Sequence, residues 1–160
     1  MTEVEPEVIS LEAAGAEVRL RWDPAGNWAL ESQPDWDSVE GIRLVSAVFD
    51  DGTKLGVAAV RPRSASGHGD DAVAARVLDA DGTRTSTTDA LVSVEYDSAH
   101  RPRRVGIELW PDPDSPPLRV AADRDSEAQQ HVAGGREAVP MAFRLDGGAG
   151  RGQYETVQPP

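Results

Sequence analysis

Three histidines, His68, His100 and His131, are the first residues to test for chemistry. Zinc needs three or four converging ligands, and no short ligand spacing links these three. His68 lies in a glycine-rich stretch and reads as a solvated loop residue. The chain has no cysteine, which excludes a thiolate metal site, a disulfide framework and a cysteine nucleophile. The pairs Asp50-Asp51 and Asp70-Asp71 and the run Asp79-Ala80-Asp81-Gly82 suggest calcium ligands. That run lacks the terminal glutamate and flanking helices of an EF-hand, and hairpin turns call for the same residues. No G-x-S-x-G elbow or Walker loop occurs. Gly147-Gly148-Ala149-Gly150-Arg151-Gly152 is not placed between a parallel strand and a helix, so it reads as a glycine-rich hairpin rather than a phosphate cradle. The expectation is a protein with no metal and no cofactor.

Aromatic residues are few, and half of the eight are tryptophans: Trp22, Trp28, Trp36 and Trp110, beside Tyr96, Tyr154, Phe49 and Phe143. Trp28 and Trp36 fall in a stretch from Asp23 to Asp37 that reads as a loop. Two readings stand side by side: a loop folded over a barrel mouth with its indoles on a ligand, or a plug closing the barrel end.

The elements that must position these residues are strands. Fifteen glycines and twelve prolines punctuate short segments of period-two alternation. In Glu17–Trp22, Val18, Leu20 and Trp22 share one face and three charges the other. Ile42–Phe49 is almost wholly apolar, as a strand covered on both faces is. It runs through Asp50-Asp51-Gly52-Thr53 into Lys54–Val60, a hairpin in which the Asp-Gly step supplies positive φ. Val73–Leu78 meets a second such turn at Asp79–Thr83. Further strands are expected at Leu91–Tyr96, Arg104–Trp110, Leu118–Ala122, Val139–Leu145 and Gly152–Val157, with at most one or two short helices, for which Asp125–Val132 is the candidate stretch. Roughly eight to ten short antiparallel strands imply a sandwich or a barrel. A single closed up-and-down barrel is the economical choice, because closure removes edge strands. The domain is expected to span residues 7–157, with flexible tails at 1–6 and 158–160.

Sixteen basic against twenty-eight acidic residues give a net charge of −12. Such a field disfavours nucleic acid and anionic membranes as partners. No apolar run approaches the ~20 residues of a membrane span, and the acidic start, Met1 to Pro6, is unlike a signal peptide, so a cytoplasmic location is expected. Lys54 is the single lysine, a usage that fits a high-GC bacterial genome.

In order along the chain stand Asp35-Trp36 opening a strand, the Phe49–Gly52 hairpin, His68, Asp79–Thr83, Val94-Glu95-Tyr96-Asp97, Phe143–Gly147 and the closing Gly150-Arg151-Gly152-Gln153-Tyr154-Glu155. This order resembles one half of the double-lipocalin superfamily that includes hydroxyneurosporene synthase, a bacterial carotenoid hydratase. The closing Gly-x-Gly-x-x-Glu is its most specific element, and the likeness runs from about Trp36 to Val157. Members of that superfamily carry two barrels, whereas this chain has the length of one. Their His-Ser-Trp-Gly type segment is replaced here by Trp22-Asp23-Pro24-Ala25-Gly26-Asn27-Trp28.

The resemblance implies a lipocalin-like barrel holding a hydrophobic small molecule, acting alone or as a homodimer. One reading is an enzyme that encloses an apolar polyene, terpenoid or polyketide and promotes cyclisation, isomerisation or hydration. The alternative is a non-catalytic carrier or sensor. A hydratase or cation cyclase needs a carboxylic acid kept protonated by burial, for which Glu155 is the candidate. A pericyclase needs a donor to a carbonyl, for which Tyr96 and Tyr154 are candidates. Trp22, Trp36, Trp110, Met141 and Phe143 are the expected walls, with core packing the commoner role for residues of each type. Glu155 is equally readable as an outer-face acid paired with an arginine such as Arg144, since Tyr154 and Glu155 point to opposite faces of a regular strand.

Overall fold

The computed structural model describes residues 5–24, 27–66, 70–125 and 131–159. Among these residues the chain is built from strands, with no α-helix. A small sheet comes first: β1 (Glu7–Ala13), β2 (Ala16–Trp22) and β3 (Trp28–Leu30), paired antiparallel in that order. The barrel strands follow as β4 (Val39–Phe49), β5 (Lys54–Pro62), β6 (Ala72–Leu78), β7 (Arg84–Thr87), β8 (Ala90–Tyr96), β9 (Pro102–Leu109) and β10 (Leu118–Arg124). A short β11 (His131–Ala133) precedes β12 (Arg136–Leu145) and β13 (Gly148–Val157).

Pairing follows chain order from β4 to β7 and again from β8 through β9, β10 and β12 to β13, and β13 returns to pair with β4. β7 and β8 run in the same direction, the second continuing the first past Thr88-Asp89, with β7 bonded to β6 and β8 to β9. Taken together they act as one broken strand of an up-and-down meander. The fold is a lipocalin-like antiparallel barrel. Its one seam lies between β6 and β8, which no ladder joins.

Two turns mark the closed end. Gly52 and Gly82 adopt φ of 94° and 92°, the region open to glycine, and each N–H returns a bond to the last strand residue or its neighbour: Gly52 to Phe49 O and Gly82 to Asp79 O, both 2.9 Å. The carboxylates of Asp51 and Asp81 accept from the N–H groups of Thr53 (2.8 Å) and Thr83 (2.9 Å), which lowers the pKa of both acids. Hairpin chemistry therefore accounts for the Asp-Gly motifs.

Burial divides into two apolar layers. Inside the barrel, Val45, Ala47 and Phe49 of β4 pack with Leu55, Val57, Val77, Ile107, Leu109, Met141 and Phe143. The Phe49 and Phe143 rings meet edge-on at 6.4 Å. Outside it, the small sheet lays Ile9, Leu11, Val18, Leu20, Trp22 and Trp28 over Ile42, Leu44, Ala58, Val60 and Ala74. β4 and β5 are thus buried on both faces, as their apolar sequences require. Gly56 is the contact that lets the two layers close: a Cβ there would lie 2.4 Å from the Trp22 indole nitrogen.

Two local expectations change. The helical turn expected over Asp125–Val132 falls partly on 126–130, outside the described residues. Its end is strand, because Gly134 and Gly135, both at positive φ, turn β11 back onto β12. The stretch from Asp23 to Asp37 holds β3, which pairs Trp28 with Trp22.

Candidate functional site

The strands end at the mouth in a polar ring. On β4, alternation turns Arg43 inward with Val45, Ala47 and Phe49, and on β5 it turns Arg61 inward with Leu55, Val57 and Ala59. Asp71, just before β6, has a side chain only 1% exposed and lies between the two arginines. Its Oδ2 accepts from Arg43 Nη2 at 2.9 Å and its Oδ1 from Arg61 Nε at 3.2 Å. Arg43 Nη1 reaches past it to the Val92 carbonyl on β8 at 3.0 Å. The Arg43–Asp71 pair therefore bridges the seam near the mouth, where backbone bonds do not. A cleft of about 210 Å³ opens here, lined by Glu40, Arg43, Arg61, Tyr96, Thr156 and Gln158 together with their neighbours Gly41, Ile42 and Val157.

Tyr154 has its ring on the lumen face, opposite Val45, and its neighbours Arg43 and Tyr96 line the cleft. The residue is 1% exposed, and its hydroxyl makes no hydrogen bond. Burial pushes its phenol pKa well above the ordinary tyrosine value, a shift opposed by the Arg43 guanidinium and reinforced by the Tyr96 phenol. The group stays a neutral donor at any physiological pH.

The next residue faces the other way. Glu155 lies on the outer face opposite Leu44, 2% exposed, where Arg136 Nε donates to its Oε2 and Gln153 Nε2 to its Oε1 at 2.6 Å. Arg136 also donates to the Trp28 carbonyl, and Trp28 Nε1 donates to Val45 O at 2.8 Å. This buried polar network fastens the small sheet to the barrel wall. Glu155 is thus paired with Arg136 rather than Arg144, which binds Asp123 at 3.0 Å.

The structure places the remaining sequence candidates as follows. Met141 and Phe143 are in the lumen cluster. Trp22, fully buried, lies outside the barrel beneath the small sheet, 6.2 Å from Trp28 and with Arg84 over its ring at 5.8 Å. Trp36 packs against the same outer cluster, and its indole donates to Gln33 at 3.3 Å. Trp110 follows β9 at the closed end, where its backbone bonds Asp89 and Thr87 across the β7–β8 break. Tyr96 lines the mouth cleft, 55% exposed. Neither the loop over the mouth nor the plug of the barrel end describes Trp28 and Trp36: both pack in the outer cluster, because β4 is apolar on both faces and the indoles find their burial there. His68 lies outside the described residues, and His100 sits at φ 62° in the turn after Asp97. Among the described residues no group of three or more His, Cys, Asp or Glu is placed to hold a metal ion, and no helix is long and apolar enough to cross a membrane.

Sequence reasoning missed Arg43 and Arg61, and it put Asp71 down to turn chemistry where the structure sets it between these two arginines. The signal was present: an arginine in register with the apolar positions of a strand marks a charged group turned into a core.

This barrel, with a polar mouth above a packed interior, defines the class as lipocalin-like. No family model matches the chain, and no curated protein matches it. Among solved structures it is similar to the crystal structure of "a putative AttH" from Nitrosomonas europaea, at 14% identity with a TM-score of 0.57. The match covers 89% of this chain and 49% of that one, so the chain spans about half the length of the protein it resembles. At this identity the likeness is one of fold.

Proposed function

We propose that the chain is a binding module for a hydrophobic small molecule taken up at the mouth of the barrel. The observation that carries this is the cleft between Arg43, Arg61, Tyr96 and Thr156, directly above the apolar lumen cluster. Polar groups that fix orientation beside an apolar wall are the usual make-up of a ligand site. At about 210 Å³ the cleft is smaller than the ~300–1,000 Å³ of pockets that engulf a whole ligand. It suits one end of a longer molecule. Each cleft residue comes from a single barrel, so a homodimer would carry two independent sites.

Between the two functional readings, carriage is favoured over hydration. The hydration that the resemblance to the hydroxyneurosporene synthase superfamily suggests calls for a protonated acid in the lumen, and Glu155 is engaged by Arg136 on the opposite face. Cyclisation or isomerisation guided by a neutral donor would fall to Tyr154, which lies on the lumen side.

The test is a titration with the fluorescent polyene cis-parinaric acid. Saturable enhancement at one probe per chain is expected, abolished by Thr156→Trp, which fills the cleft, with the circular dichroism spectrum unchanged. Non-saturable enhancement, or equal binding by Thr156→Trp, overturns the proposal.

A further inference from the structure

Buried hydroxyls without partners are rare, because leaving one unmade costs about 1–3 kcal/mol. The described residues hold two such buried side-chain atoms, Trp22 Nε1 and the Tyr154 hydroxyl. The first is enclosed between the small sheet and β5, against Gly56. The second belongs to the lumen face and lies within electrostatic reach of Arg43 and Tyr96, both lining residues of the cleft. Only the second has cleft-lining residues, Arg43 and Tyr96, as its neighbours.

The polar neighbourhood of that hydroxyl restricts what it can meet. Arg43 and Arg61 offer donors, Asp71 has both oxygens engaged by them, and Glu40 stands at the exposed rim. A phenol beside the Arg43 guanidinium is a donor, and it matches an acceptor on the ligand. Tyr96, 55% exposed, lines the cleft where the β8–β9 register shifts.

Resting on the binding reading above, we propose that Tyr154 selects the ligand's head group: the phenol donates to an acceptor oxygen, a carbonyl or a carboxylate, at one end of an apolar molecule. Arg43 assists by its charge, while its bonds to Asp71 and Val92 hold the wall in place. Such a site discriminates by head group more than by chain, since an apolar molecule without an acceptor leaves the phenol unpaired.

Three probes with similar apolar bodies separate the outcomes: cis-parinaric acid, its methyl ester and the hydrocarbon diphenylhexatriene, each titrated against the wild type and Tyr154→Phe. Phenylalanine keeps the ring that packs against the lumen, so the fold is retained. The variant is expected to bind the acid, or the acid and the ester, roughly five- to tenfold more weakly, with diphenylhexatriene unaffected. Loss for both oxygenated probes identifies a carbonyl as sufficient, and loss for the acid alone identifies a carboxylate. Unchanged affinities for all three probes overturn the head-group assignment while leaving the binding reading intact. Failure of every probe to bind the wild type removes both.

Discussion

Replacing Tyr154 by phenylalanine removes one oxygen atom and leaves the ring that fills the lumen beside Val45 and Val139. In the folded chain that oxygen has been taken from water and given no partner. The penalty for such a group is about 1–3 kcal/mol, and the unfolded chain does not bear it. Tyr154→Phe is therefore expected to stabilise the ligand-free protein by about 1–2 kcal/mol. For a chain of this size each kcal/mol is worth about 2–4 °C, so a gain of about 1.5 kcal/mol raises the melting temperature by about 3–6 °C. Urea unfolding followed by circular dichroism measures the change directly, with the slope on urea unchanged because the buried area is the same. The pH dependence gives a second reading. Burial raises the folded pKa of Tyr154, so the folded state favours the protonated phenol. That preference costs nothing below the unfolded value near ~10, and stability falls as pH rises above it, where only the unfolded chain ionises. The variant should lose this alkaline decline. A destabilisation of more than about 0.5 kcal/mol at neutral pH would refute the reasoning, because it would mean that the hydroxyl is satisfied in solution.

Glu155→Gln tests the outer network: exchanging the carboxylate that faces Arg136 for an amide should cost about 2–3 kcal/mol, with unchanged urea stability counting against the network. Asp97 has its pKa lowered to about 2, first by the N–H of Arg101 and then by Arg124. A depressed folded pKa contributes stability that is present above the unfolded value near ~4 and is lost as pH falls toward 2. Asp97→Asn should flatten that acid limb in thermal melts between about pH 4 and about pH 2, and an unaltered limb would place the acid sensitivity elsewhere.

The barrel was legible in the sequence because its signals are local. Asp50-Asp51-Gly52 and Asp79-Ala80-Asp81-Gly82 specify their turns through side-chain and backbone bonds made within four residues. Val105, Ile107 and Leu109 alternate onto one face because the strand leaves no other choice. What covers the second apolar face of β4 is not local. The small sheet that buries Ile42 and Leu44 comes from the residues up to Leu30, and Trp22 and Trp28 announce burial without saying on which side of the wall. The same holds for Tyr154 and Glu155. Alternation separates them, but which one turns inward is fixed by pairing with Val45 and Leu44 of β4, far away in sequence. Arg43 was readable and overlooked: an apolar average over Ile42–Phe49 conceals one arginine whose register points into the lumen.

The return of β13 to β4 also closes the barrel between strands from distant parts of the chain. Phe49 pairs with Gly150 and Ile42 with Val157, so one flank of β4 has no strand neighbour until residues 150–157 have been made. The other flank is met at once by β5, and the three strands before β4 already exist to cover its outer surface. A nascent chain extending through β6 therefore contains most of the outer apolar layer, Trp22, Trp28 and Trp36 included, and lacks its Val157. The inner layer follows, at the entropic cost of long loops closed late. The mouth cleft, drawn from β4, β5, β8 and β13, cannot form before β13 has been made.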